Sequence, residues 1–183
     1  MLVNLRALFV RVVDIVLLRA GPETLPASPA ILAIVVVMNA AVAGVVVSFI
    51  PTVPPLTVPE LIVNSLVPLA WYWMAFSLAK KPERFVQTAT AVFGVNMLFQ
   101  PFISPLFAAL LPYIQKPDPN VPPPALLSLL FLFVTVWLTI VWVRIVHAAF
   151  EWPYLICFVF VLASNVVTLF IMAALFGGPP AQV

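Results

Sequence analysis

Residues 124–176 read "PALLSLLFLFVTVWLTIVWVRIVHAAFEWPYLICFVFVLASNVVTLFIMAALF". Two long apolar runs, 124–147 and 153–176, flank a region that contains "EWP". A helix that crosses the hydrocarbon core of a bilayer needs about 20 predominantly apolar residues. The stretch supplies that length twice. A connector so short leaves room only for a reversal, so the two segments run antiparallel, as in a helical bundle.

Three more runs of this kind precede it, at 29–50, 59–79 and 84–111. Their connectors are "PTVPPLTVP", "KKPE" and "PYIQKPDPNVPPP", each marked by proline. Proline and the residue before it leave the helical region, so these clusters read as segment ends. The expected fold is all-α: an integral membrane bundle of five transmembrane helices, forming one domain over residues 1–183.

Composition requires the same medium. Of 183 residues, 64% are hydrophobic and 8% charged, and the mean hydropathy is +1.21. A soluble domain is about half apolar, and a small globule leaves much of its surface exposed. The bilayer is therefore the solvent. The net charge of +2 rests on eight cationic residues. They sit at the ends of runs and form no cluster, which excludes a nucleic-acid surface. A single cysteine, Cys157, excludes an internal disulfide and a thiolate metal cluster. It reads as a small packing residue. No internal repeat marks an inverted-repeat transporter.

Basic residues set the orientation. Arg6, Arg11, Arg19, Lys80, Lys81, Arg84 and Arg144 fall on one side, and Lys116 alone on the other. Basic loops stay in the cytoplasm. The N-terminus is expected in the cytoplasm and the C-terminal "GGPPAQV" in the periplasm. Trp71, Trp73, Trp142, Trp152 and Tyr154 fall near the predicted inner boundary, where amphipathic rings prefer to sit.

Residues 3–19 differ from the spans. At helical spacing Leu5, Phe9, Val12 and Val16 form a stripe, with Asn4, Arg11 and Asp14 opposite. This predicts an amphipathic helix on the inner surface. Placing Arg11 and Asp14 at mid-bilayer would cost about 2.5–3.5 kcal/mol each, which disfavours a sixth span. The same two residues interrupt what would be a signal-peptide core, so the segment is expected to be retained. Ser28 with Pro29 predicts the cap and first turn of the first span.

Polar residues inside spans are costly and therefore informative. Asn39, Asn64, Asn96 and Asn165 each stand in a different span, roughly 15–22 Å from the basic end at helical rise. Four carboxamides at similar depth could line a small-ligand site. They could also serve as interhelical contacts worth about 0.6 kcal/mol each, and the sequence favours that packing role. No Asp, Glu, Lys or Arg lies at mid-depth, which argues against a coupled pump. In "MLFQPFISPLF", Pro101 and Pro105 each remove a backbone donor, so a kink or break is expected there, a candidate hinge. Gln100 and Ser104 could serve the freed carbonyls.

"RIVHAAFEWP", residues 144–153, gathers Arg144, the single histidine His147 and Glu151 at spacing i, i+3, i+7. They fall on one helix face at the basic end. A charge-assisted network among them is expected at headgroup level, either as an interfacial anchor or as an interaction face for another membrane subunit. A haem ligand needs a deep pocket, which a histidine at the rim does not suit, so no cofactor is expected. No GxSxG, HExxH, P-loop or dinucleotide fingerprint is present. The chain is read as non-catalytic.

"LLRAGPETLPASPAILA", "KPERFVQTATAVFG" and "RIVHAAFEWP" together resemble small proteobacterial inner-membrane proteins. Their layout is similar to that of bacterial members of the Yip family. The resemblance implies a cytoplasmic N-terminal segment and about five spans, and it carries over no catalytic residue. The functional expectation is an accessory or scaffold subunit of a larger inner-membrane complex. The alternative is a small-solute channel or facilitator with an Asn-lined passage.

Overall fold

The computed structural model describes residues 5–51, 54–115 and 121–177. The expectations placed on Asn4, Lys116 and residues 178–183 lie outside them. Among the described residues the chain is all-helical. It forms α1 (Leu5–Val16), α2 (Pro29–Ser48), α3 (Val58–Leu78), α4 (Phe85–Gln115), α5 (Ala125–Phe150) and α6 (Tyr154–Phe176). Helices α2 to α6 are long and apolar enough to cross a membrane.

Local chemistry sets the ends. The hydroxyl of Ser28 accepts from the Ile31 N–H at 3.5 Å, with Pro29 in the first turn, as expected. Before α3, the Glu60 carboxylate accepts from the Thr57 N–H at 2.7 Å, half of the reciprocal T-x-x-E start signal. Helix α5 stops where Glu151 turns left-handed, at φ 63°. Its last carbonyls are served from another loop: Lys81 Nζ donates to Phe150 O at 3.1 Å, and Arg84 Nη1 to Ala149 O at 2.9 Å. Cations at this end also suit the helix dipole.

Helix α4 is the centre. It packs against α2, α3 and α5, while α6 closes the ring between α5 and α3. Every residue from Thr88 to Val95 is buried. Small side chains at Ala89, Ala91 and Gly94 allow neighbours to approach that closely. The hydroxyls of Thr88 and Thr90 are satisfied within the helix, by Arg84 O and Val86 O. Outward faces carry large apolar side chains such as Val37, Leu155 and Phe170, which are 67%, 74% and 71% exposed.

The N-terminal helix docks on this bundle. Val12 and Ile15 are buried, and the indole N–H of Trp137 donates to Val16 O at 3.1 Å. The seam between α4 and α5 holds the helix. Its inward face is Leu8, Val12 and Ile15, whereas Phe9, expected in the apolar stripe, is 52% exposed. The rotation has a local cause. Gly94 leaves a hollow that Val12 fills, so closely that a Cβ at Gly94 would lie 3.1 Å from Val12 Cγ2. The helix ends at Val16 rather than 19, because Leu18 turns left-handed and the N–H groups of Arg19 and Ala20 cap Asp14 O. Arg11 donates to Thr24 O and ties the helix to the turn that follows.

Two further expectations concern the prolines of α4 and the aromatic residues. Helix α4 does not break at Pro101 or Pro105. It continues through both, and through Pro112, to Gln115 rather than 111. A proline removes one donor, and surrounding helices in a bundle can hold the helix through that loss. The aromatic set is also divided. Trp73 and Tyr154 point outward, at 60% and 55% exposure. Trp71 packs on Phe160, Trp152 stacks on Phe150, and Trp142 turns into the bundle.

Candidate functional site: an amide cavity within the bundle

Asn39, Asn64, Asn96 and Asn165 converge. They line one cavity of about 100 Å³ to which all five long helices contribute. At roughly 30 Å³ per molecule this is space for about three waters. From the basic end the four asparagines stand roughly 15–21 Å along their helices, near the half-depth of the bundle.

Helical spacing builds the lining. On α4, Asn96 and Gln100 are one turn apart, with Phe93 below them. On α6, Ser164, Asn165 and Thr168 share a face, and on α3 Asn64, Pro68 and Tyr72 do. Pro68 has no N–H, so the carbonyl of Asn64 loses its intrahelical donor beside the cavity. Tyr72 and Ser164 are buried, whereas Asn165 is exposed, so the cavity is not sealed on the α6 side.

Its hydrogen bonding is half complete. Trp142 Nε1 donates to Asn96 Oδ1 at 2.9 Å, and Asn165 Nδ2 donates back to Val161 O at 2.9 Å. Asn39 is only 4% exposed, yet its Oδ1 has no partner among the described residues. Gln100 Oε1 is likewise buried and unpartnered. A buried acceptor without a donor costs about 1–3 kcal/mol, and two on one cavity wall make a site that favours hydrogen-bond donors. Among the described residues no Asp, Glu, Lys, Arg or His lines it. The arrangement suits a small uncharged molecule and offers no acid, base or nucleophile pair.

The other candidates are not part of it. Pro101 and Pro105 lie just past Gln100 and outside the lining. Arg144, His147 and Glu151 diverge. Glu151 pairs with Arg84 at 2.8 Å and Lys81 at 3.3 Å. Hydrogen bonds from Arg84, and then from Lys81, hold its carboxyl below the usual carboxylate range. His147 Nδ1 lies 2.6 Å from Trp152 O, with its ring stacked on Tyr154 at 4.0 Å. Arg144 has no hydrogen bond or ion pair among the described residues. Glu151 stands at the left-handed end of α5, beyond the helical face that Arg144 occupies.

At the basic end, Pro22, Glu23, Arg84, Gln87, Thr88, Ala148, Ala149 and Glu151 line a second pocket of about 220 Å³. Gln87 Nε2 donates to Leu25 O at 2.7 Å and closes one wall. Three segments far apart in the sequence, around Pro22, Gln87 and Ala148, thus meet in space.

No family model matches the chain, and neither a curated protein nor a solved structure does.

Tyr72, Gln100, Trp142 and Ser164 were not foreseen as cavity residues. The signal for two of them was present: Gln100 follows Asn96 by four and Ser164 adjoins Asn165 on a helix whose register the asparagine fixes. Trp142 carried a boundary signal instead, and Tyr72 none.

Proposed function

We propose that this chain is a non-catalytic multi-pass protein of the bacterial inner membrane that binds a small uncharged solute inside its bundle and eases that solute's passage. Its layout is that of the Yip-like proteins, with the basic end in the cytoplasm and the C-terminus in the periplasm. The single observation that carries this reading is the meeting of four asparagines around a cavity with two acceptors, Asn39 Oδ1 and Gln100 Oε1, that have no partner among the described residues. A purely structural set of amides would be expected to satisfy itself across helices. With no charged side chain on the wall, a small uncharged solute is the guest that costs least to desolvate there.

Flux into proteoliposomes tests it. Water, glycerol and acetamide are the probes, and osmotic swelling is the readout. The intact protein should raise the rate for at least one probe severalfold over empty vesicles, and Asn39→Leu with Asn96→Leu should return it to the lipid background. Equal rates with and without protein for all three would defeat the proposal.

The accessory-subunit reading draws on α1. It packs on one side only and leaves Phe9 and Val10 at 52% and 49% exposure. Gentle solubilisation separates the readings: a subunit would travel with partners in fixed proportion, and recovery as a lone monomer would set that role aside.

A further inference from the structure

The groove between α5 and α6 leads to a different ligand. It encloses about 680 Å³, within the range of ~300–1,000 Å³ typical of small-molecule sites. Val136, Ile140 and Val143 from α5 face Leu155, Phe158 and Leu162 from α6 across it. At the basic end its mouth is formed by Arg144 and Tyr154, and its far end lies at Thr135.

Three observations fix the occupant. First, Arg144 is exposed and, among the described residues, unpaired, unlike Lys81 and Arg84, which are engaged by Glu151. Second, the guanidinium stands at the end of an apolar trough, so a matching ligand has an anionic head and a hydrocarbon body. Third, the length agrees with one leaflet. From Arg144 to Thr135 is nine residues, roughly 13.5 Å of rise, against about 15 Å for half of a hydrocarbon core. The groove thus runs from headgroup level to near the midplane.

We propose that this groove is a binding site for an anionic phospholipid, with the phosphate on Arg144 and one acyl chain lying between α5 and α6. Arginine suits this role because its planar fork meets phosphate oxygens in pairs. The site is independent of the amide cavity and of any solute passage.

Native mass spectrometry of the full chain in detergent tests it. Phosphatidylglycerol is compared with phosphatidylcholine of the same acyl composition. The intact protein should retain one phosphatidylglycerol in preference to phosphatidylcholine, and Arg144→Gln should weaken that retention about fivefold, the weight of one arginine near an anionic surface. Val136→Trp keeps the charge and fills the trough on an exposed position, and it should also expel the lipid. Lys80→Gln, an exposed cation elsewhere at the same end, should change nothing. Equal retention of the two lipids overturns the proposal, as does unaltered binding by Arg144→Gln or Val136→Trp, or equal weakening by Lys80→Gln. Should Arg144→Gln fail to fold, the lipid comparison and Val136→Trp decide alone.

Discussion

The indole N–H of Trp142 donates to the side-chain carbonyl of Asn96 across 2.9 Å, joining α5 to α4 at the wall of the amide cavity. The bond fixes the asparagine's orientation. The amide nitrogen of Asn96, and the second lone pair of its oxygen, are what it can offer a guest.

Trp142→Phe keeps the ring's bulk and removes the donor. Interhelical hydrogen bonds in membranes average about 0.6 kcal/mol and reach roughly 1.7, and loss near the upper figure is expected because Asn96 is half-buried. Unfolding in mixed micelles measures it. A cycle with Asn96→Leu should show the two changes to be non-additive, and full additivity would mean the pair does not interact.

Gly94 and Val12 define how the N-terminal helix docks. A Cβ at Gly94 would lie 3.1 Å from Val12 Cγ2 and 3.3 Å from Cγ1. Gly94→Leu should therefore force α1 off the α4–α5 seam at a cost of about 1–3 kcal/mol, the usual range for overpacking. Protease sensitivity of residues 17–25 reports the release. Adding Val12→Ala should recover part of the protection, and no recovery would show that Val12 is not the obstacle.

The five long helices were legible because each is set by a property of its own residues: apolar length, then a proline cluster. The depth of the asparagines was legible for the same reason, since helical rise converts position into distance. What could not be read was rotation. The face that α1 buries depends on the hollow at Gly94, some eighty residues away in sequence. The partner of Glu151 depends on a left-handed turn that makes Lys81 and Arg84 its neighbours instead of Arg144. At Pro101 and Pro105 the local cost is legible, while the packing that carries α4 past them without a break is tertiary.

Glu151 gives a pH dependence whose sign follows from its partners. Arg84 first, and Lys81 second, hold the folded carboxyl below its ordinary value of 4.5. The ion pairs therefore contribute fully above that value and are lost as pH falls through the lower, folded pKa. Thermal stability in detergent should decline on acidification below about 4.5. Glu151→Gln should lower stability at neutral pH and flatten that acid limb. An acid limb identical in the variant would assign it to other carboxyls.

Asn39→Leu separates a dry cavity from an occupied one. Among the described residues Asn39 Oδ1 is buried without a partner, and an unsatisfied acceptor costs about 1–3 kcal/mol. Leucine is close in size and removes that cost, so the variant should be more stable in the absence of solute. It should also lose whatever stabilisation glycerol or acetamide gives the intact protein, because the acceptor that engages them is gone. Micellar unfolding with and without each solute reads both effects. Such opposed changes, higher intrinsic stability with no response to solute, are expected when a residue is kept for binding at the expense of packing. A variant that is destabilised and still responds to solute would place Asn39 among the structural contacts and move the binding role elsewhere on the wall.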